Sequence, residues 1–296
     1  WTSGCVIGDR GNIGAQGRHG TQPVAGVDIE AAQDRAGVVS SRTAIINLTK
    51  AVTVKPIKML LSAVAILSTV GVVLFFTVVP GWLESRMNVV TGDGGAAPNN
   101  ASLALHKTLT IGDLHADTAL WNRSLIARAD RGHVDVARLL EGNAALQMFT
   151  TVTKSPRGQN LHRNTADAPD NITLLALGQR WPQATYDSLT ARALFQAQRI
   201  RAAADESEHL MLVTSSAELD TLLARRDAGD AVIGALIGTE GSHALDGELD
   251  NIDVLYDAGF RMMSARVLLD NKLGGSLHGV SNQGPTSYGE KAVDRM

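Results

Sequence analysis

Cysteine is almost absent from this chain of 296 residues: Cys5 stands alone. That excludes an intrachain disulfide framework and any metal site built on clustered thiolates, so metal ligands would have to be histidines and carboxylates. An excess of basic charge is missing too. With 27 Lys and Arg against 30 Asp and Glu, the formal net charge is −3, which argues against a broadly basic nucleic-acid surface, and no nucleic-acid partner is expected. The chain does not begin with Met. Residues 1–54 start at Trp1 and carry no sustained helical or strand period, which suits a flexible tail or translated upstream sequence. A native start near Val54, read from a non-standard initiation codon, is expected.

Charge is also missing from Met59–Leu83. About 20 apolar residues cross a hydrocarbon core of roughly 30 Å, so residues 55–84 are expected to form a transmembrane signal-anchor embedded through residues 59–83. A buried core helix and a cleavable signal are the alternatives, but the run is longer than either usually needs. Arg42, Lys50, Lys55 and Lys58 precede it, and the positive-inside rule then leaves the N-terminus in the cytoplasm. The rest of the chain would face outward, to a periplasm or cell surface. Residues 85–105, with Gly92, Gly94, Gly95 and Pro98, read as a linker. Residues 106–296 remain for a folded domain, and the 44% hydrophobic content allows a sizeable core.

Within that domain, strand and helix patterns alternate as in a parallel α/β sheet. Strands are expected near Ile111, over Ala144–Val152, His209–Val213, Ala231–Thr239 and Met262–Leu269. A long loop with a short helix is expected over Asn160–Gln183. An amphipathic helix follows from Tyr186 to Ala204, its Arg192, Arg199 and Arg201 read as a solvated face. Ser216–Arg225 is expected as a helix capped by Ser215 or Ser216. Gly259 should close the helix Ile252–Ala258, and Pro285 should open the last one.

Two short motifs carry chemistry. In Thr110–Leu120, His115 and Asp117 lie two residues apart where a strand should end; side chains at i and i+2 share a face, and an imidazole beside a carboxylate offers donors that zinc accepts. In Ala231–Leu245 an apolar run meets Glu240-Gly241-Ser242-His243, placing Glu240 at a strand's C-terminal end, where barrel enzymes keep their catalytic groups. Asp113 shares the parity of His115 and is a candidate to orient it.

These blocks together resemble the membrane (renal-type) dipeptidases. Asp113-Leu114-His115-Ala116-Asp117 is similar to that family's opening metal motif. Gly132-His133-Val134-Asp135, then Arg138 to Gly142 and Leu146 to Phe149, resemble its second block. Ile237 to Leu245 resembles the bridging-glutamate block, Leu255 to Arg261 the segment after it, and Asp270 to Gly279 a loop of bacterial members. The resemblance implies a (β/α)₈ TIM-type barrel of the metal-dependent hydrolase class, here truncated after about five strands. It implies zinc-dependent hydrolysis of a dipeptide's peptide bond, with two Zn²⁺ per complete site. His115 and Asp117 would bind the first and Glu240 would bridge to the second, while His133, His243 and His278 receive no ligand role.

Two departures follow from the same resemblance. The family's substrate-contacting histidine corresponds here to Val267, which cannot donate a hydrogen bond, and the family's later ligands and acid/base residues lie beyond Met296. The chain is therefore expected to carry half of the site and to be inactive by itself. Expected partners are a dipeptide, the bilayer and, left open, a second copy in a homodimer. Two other readings stay open: a catalytically silent membrane-anchored binding protein, and another metal-dependent amide, lactone or phosphoester hydrolase of the same barrel class. Those relatives more often open with His-x-His, which disfavours the second.

Overall fold

The computed structural model describes residues 38–91 and 95–296, with side chains from Lys55 onward. The expected tail before Val38, and Gly92–Gly94 of the expected linker, lie outside the described residues. The chain divides between Ala63 and Val64 into two units. Helix α1 (Val38–Thr77) begins in the first. Its stretch Lys55–Thr77 has a mean hydropathy of 2.5 and no buried residue, so by length and composition it is a candidate membrane span.

The apolar run does not continue as one helix to Leu83, as its lack of charge had suggested. α1 ends at Thr77 and α2 (Val79–Met87) starts anew, with Pro80 in its first turn, where a missing N–H costs no helical hydrogen bond. α2 belongs to the second unit. Its Glu84 is 4% exposed and pairs with Arg131 at 2.7 Å and Arg123 at 3.4 Å. Helix α3 (Asn100–Lys107) follows, capped by the Asn99 side chain, which accepts from the Ser102 N–H.

The second unit is built on five parallel strands: β1 (Ile111–Ala116), β2 (Ala144–Val152), β3 (Leu210–Leu212), β4 (Ile233–Glu240) and β5 (Phe260–Met263). Their order is not sequential. β4 pairs with β2 along one edge, and its other edge is shared, β3 taking Ile233–Ala235 and β5 taking Ile237–Thr239. The short β3 is therefore an accessory strand, and β1, β2, β4 and β5 form the continuous parallel run. Val152 lies opposite Glu240, and Ala116 opposite Phe149, so the C-terminal ends of β1, β2 and β4 meet on one rim.

The helices are α4 (Val136–Glu141), α5 (Asn171–Gly178), α6 (Ala184–Asp187), α7 (Leu189–Glu206), α8 (Ser216–Asp227), α9 (Asn251–Asp257) and α10 (Ser287–Arg295). On α7, Ala193, Ala197 and Ile200 recur at four and three residues and pack with Phe149, Ala235 and Ile237 in the main core. Alternation along β4 gives Ala235, Ile237 and Thr239 to this buried side and leaves Gly238 and Glu240 on the opposite face.

Three expectations are corrected. The Tyr186–Ala204 pattern is broken at Ser188, whose hydroxyl accepts the Ala191 N–H and caps α7. The fifth strand stops at Met263 rather than Leu269, because hydroxyls capture the backbone beyond it: Gly241 N–H donates to Ser264 Oγ at 2.8 Å, and Ser242 Oγ donates to the Ser264 carbonyl at 3.0 Å. The arginines of α7 are not a solvated face. Arg192 is 1% exposed and donates to Asp170 at 2.5 Å and to the Thr153 and Thr185 carbonyls. Arg199 donates to the carbonyls of Ala119 and Trp121, and Arg201 to that of Ala258. A guanidinium with five donors can satisfy several loop carbonyls at once, a use that helical periodicity does not reveal.

Candidate metal centre

His115 is the penultimate residue of β1, Asp117 follows the strand directly, and Glu240 ends β4. Parallel register brings all three to one rim. His115 Nε2 lies 3.4 Å from Asp117 Oδ2 and 3.7 Å from Glu240 Oε2, and one donor atom from each residue lies within 4.8 Å of the others. Two donors of a tetrahedral zinc ion, each about 2.0–2.2 Å from the metal, stand roughly 3.3–3.6 Å apart. One nitrogen and two carboxylate oxygens at this spacing fit a divalent cation.

One of the two ligand carboxylates is held from a neighbouring strand. Thr150, on the rim end of β2, donates its hydroxyl to Asp117 Oδ1 at 2.5 Å, leaving Oδ2 turned toward His115. Asp113 Oδ1 accepts the backbone N–H of His115 at 3.1 Å, so its contact is with the strand rather than with the imidazole. Burial first, and then the facing Asp117 carboxylate, push Glu240 above the ordinary carboxylate range, with His115 acting the other way. Crowding two carboxylates in this manner is unfavourable unless a cation lies between them.

The centre opens into a cavity of about 830 Å³ lined by Asp117, Glu240, His243, Lys154 and Val267 at its polar end. His243 sits in the short 3-10 turn after β4. Burial, and secondarily Lys154, push its imidazole down to about 4 against the pull of Asp170, so it is neutral at physiological pH. His133 and His278 lie elsewhere, the latter bonded through Nδ1 to the Leu161 carbonyl at 2.8 Å. Val267 stands past the end of β5, not on a strand. Sequence reasoning missed Thr150 and Lys154; strand parity along β2 was the available signal for Thr150.

The sequence profile of the membrane dipeptidase family, peptidase family M19, matches residues 100–296, two thirds of the chain. The chain belongs to that family. No curated protein matches it by sequence. Solved structures that resemble it include a dipeptidase AC of family M19, at 19% identity and a TM-score of 0.43, covering 64% of this chain and 53% of that one. The probable dipeptidase PvdM from Pseudomonas aeruginosa aligns at 14% identity and a TM-score of 0.46, covering 65% and 45%. A metallopeptidase from Rhodobacter sphaeroides, liganded with a phosphinate mimic of the dipeptide L-Ala-D-Ala, aligns at 18% and 0.41, covering 64% and 56%. The M19 chain spans about half the length of these solved structures.

Proposed function

We propose that the chain carries the metal-binding rim of a zinc dipeptidase, with His115 and Asp117 as ligands of one metal and Glu240 as the carboxylate shared with a second. The observation that carries this reading is the convergence of His115, Asp117 and Glu240 within 4.8 Å in a chain of the M19 family. Three donors are fewer than two metal ions require, so the remaining donors are proposed to come from outside the described residues. The described residues by themselves are then an incomplete catalyst.

A bound metal here would polarise the scissile carbonyl and lower the pKa of water. The protein's own residues do the positioning. Thr150 fixes one oxygen of Asp117, the strand ends of β1 and β4 fix the distance between His115 and Glu240, and neutral His243 offers a hydrogen-bonding group without adding charge. Val267 itself offers no donor to a substrate carbonyl or developing oxyanion.

We place the dipeptidase region outside the cytoplasm, tethered by Lys55–Thr77; Arg42 and Lys50 before that stretch, with Lys55 and Lys58 in its first turn, support this orientation. Hydrolysis of simple dipeptides tests the reading. The 296-residue chain with zinc should show none, whereas the chain continued with its downstream coding sequence should show turnover that chelators abolish. Turnover by the 296-residue chain alone would overturn the half-site, and chelator-insensitive turnover would overturn the metal.

A further inference from the structure

The cavity at the metal centre has a second, apolar end, part of whose lining lies outside the family match. Its apolar lining there includes Phe75, Val79, Leu83, Trp121, Leu174 and Leu175, with Leu83 packed against the cluster that holds Trp121 and Leu175. The first three belong to the end of α1 and to α2, which precede residue 100, where the match to the dipeptidase family begins. This part of the lining thus lies outside the residues matched to the family.

The wall is held in place. Glu84 on α2 is buried between Arg131 and Arg123, and the Asn88 carbonyl after α2 accepts the Gly132 N–H at 2.8 Å. Pro80 and Phe75 sit over Gly178 at the end of α5, where an added Cβ would lie 3.2 Å from Pro80 Cγ and 3.5 Å from Phe75 Cζ. Breaking a buried ion pair leaves a charge without its partner, and the glycine notch admits the ring at close range, so α2 is seated on the unit. The open space runs without interruption from Leu83 to Asp117 and Glu240. At about 830 Å³ it lies in the upper part of the range of roughly 300–1,000 Å³ typical of small-molecule sites, far more than two methyl side chains fill.

We propose that α2 is one wall of the substrate cleft and that this wall selects dipeptides with bulky apolar side chains. The inference rests on the reading of His115, Asp117 and Glu240 as the metal centre: the backbone of the substrate lies at the polar end, and an apolar side chain lies over the surface that Val79 and Leu83 form with Leu175. Leu83 and Val79 then act as specificity-determining residues contributed by the segment that joins the candidate membrane span to the dipeptidase region.

Binding separates this proposal from the metal reading. In detergent micelles, the 296-residue chain is titrated calorimetrically with Leu-Leu and with Ala-Ala, with and without zinc, as wild type, Leu83→Ser and Val79→Ser. Val79 is 40% exposed, so its substitution should be tolerated by the fold if Leu83→Ser is not. Leu-Leu should bind at least about tenfold more tightly than Ala-Ala, and either serine should reduce that preference by several-fold, the scale on which apolar pockets discriminate. Equal binding of the two dipeptides, binding of neither, or a preference untouched in both variants would overturn the proposal. If zinc fails to bind while the Leu-Leu preference persists and is lost in the variants, the wall stands and the metal reading falls.

Discussion

Thr150 Oγ1 donates to Asp117 Oδ1 at 2.5 Å across the β1–β2 pair. The bond ties the candidate ligand to the sheet rather than to the turn that follows β1, and it decides which carboxylate oxygen faces His115. Hydrogen bonds that orient ligands are commonly worth 10–100-fold in metal affinity. Thr150→Val, nearly the same in volume, should weaken zinc binding by about that range while Thr150→Ser largely restores it. Competition titration against a chromophoric chelator measures it, and an unchanged affinity in Thr150→Val would remove the supporting role.

Glu240 predicts a conflict between stability and binding. Its carboxyl is pushed above the ordinary range by burial and by Asp117, so its folded pKa exceeds its unfolded one. For a carboxylic acid raised in this way, the proton-linked stability is present below the unfolded value and is lost as pH rises through the folded one. At neutral pH the metal-free protein therefore carries a cost that Glu240→Gln removes. That variant should melt at a higher temperature than wild type at pH 7 without metal, with the gap closing toward pH 4, and should lose zinc-dependent stabilisation. Melting curves over pH 4–8 with and without zinc check both signs. A lower melting temperature for Glu240→Gln at pH 7 would contradict the account.

Arg192 and Asp170 form a second cluster with structural consequences. Burial alone would raise Asp170, yet hydrogen bonds from the Ser155 N–H, the Arg192 guanidinium and the Ile172 N–H hold it below the ordinary range. Asp170 also caps α5, which forms part of the cleft wall. Removing one partner of a buried pair costs about 3–5 kcal/mol, so Arg192→Leu should destabilise the unit by that order in chemical denaturation. A loss below about 1 kcal/mol would show that the pair is not structural.

The stretch Lys55–Thr77 is long and apolar enough to span a bilayer. The protein should therefore stay with membranes through carbonate extraction, and protease added from outside should reach the region after Gly95. Replacing Leu67 and Val70 with Lys should release it into the soluble fraction. Recovery of the intact wild-type protein there would remove the anchor.

How much of this was legible beforehand varies with the physical signal. β2 was read at its observed bounds because Phe149, Thr150, Thr151 and Val152 favour a strand and Gly142 and Asn143 mark the turn before it. His115, Asp117 and Glu240 could be nominated because strand parity and strand ends are local properties. The position of β3 was not legible: which edge a three-residue strand joins depends on long-range register. Nor were the roles of Arg192 and Arg199, since their partners are loop carbonyls whose positions no periodicity encodes. Nor was the break between α1 and α2, since the run stays uncharged through Leu83 and what seats α2 is the long-range pairing of Glu84 with Arg123 and Arg131.

The central claim is that one rim of the sheet binds a metal through His115, Asp117 and Glu240. Anomalous diffraction at the zinc edge from zinc-loaded crystals tests it most directly. The account predicts a peak about 2.0–2.2 Å from His115 Nε2, Asp117 Oδ2 and Glu240 Oε2, absent in the Glu240→Gln protein. A zinc peak elsewhere on the chain, with none at this rim, would contradict it.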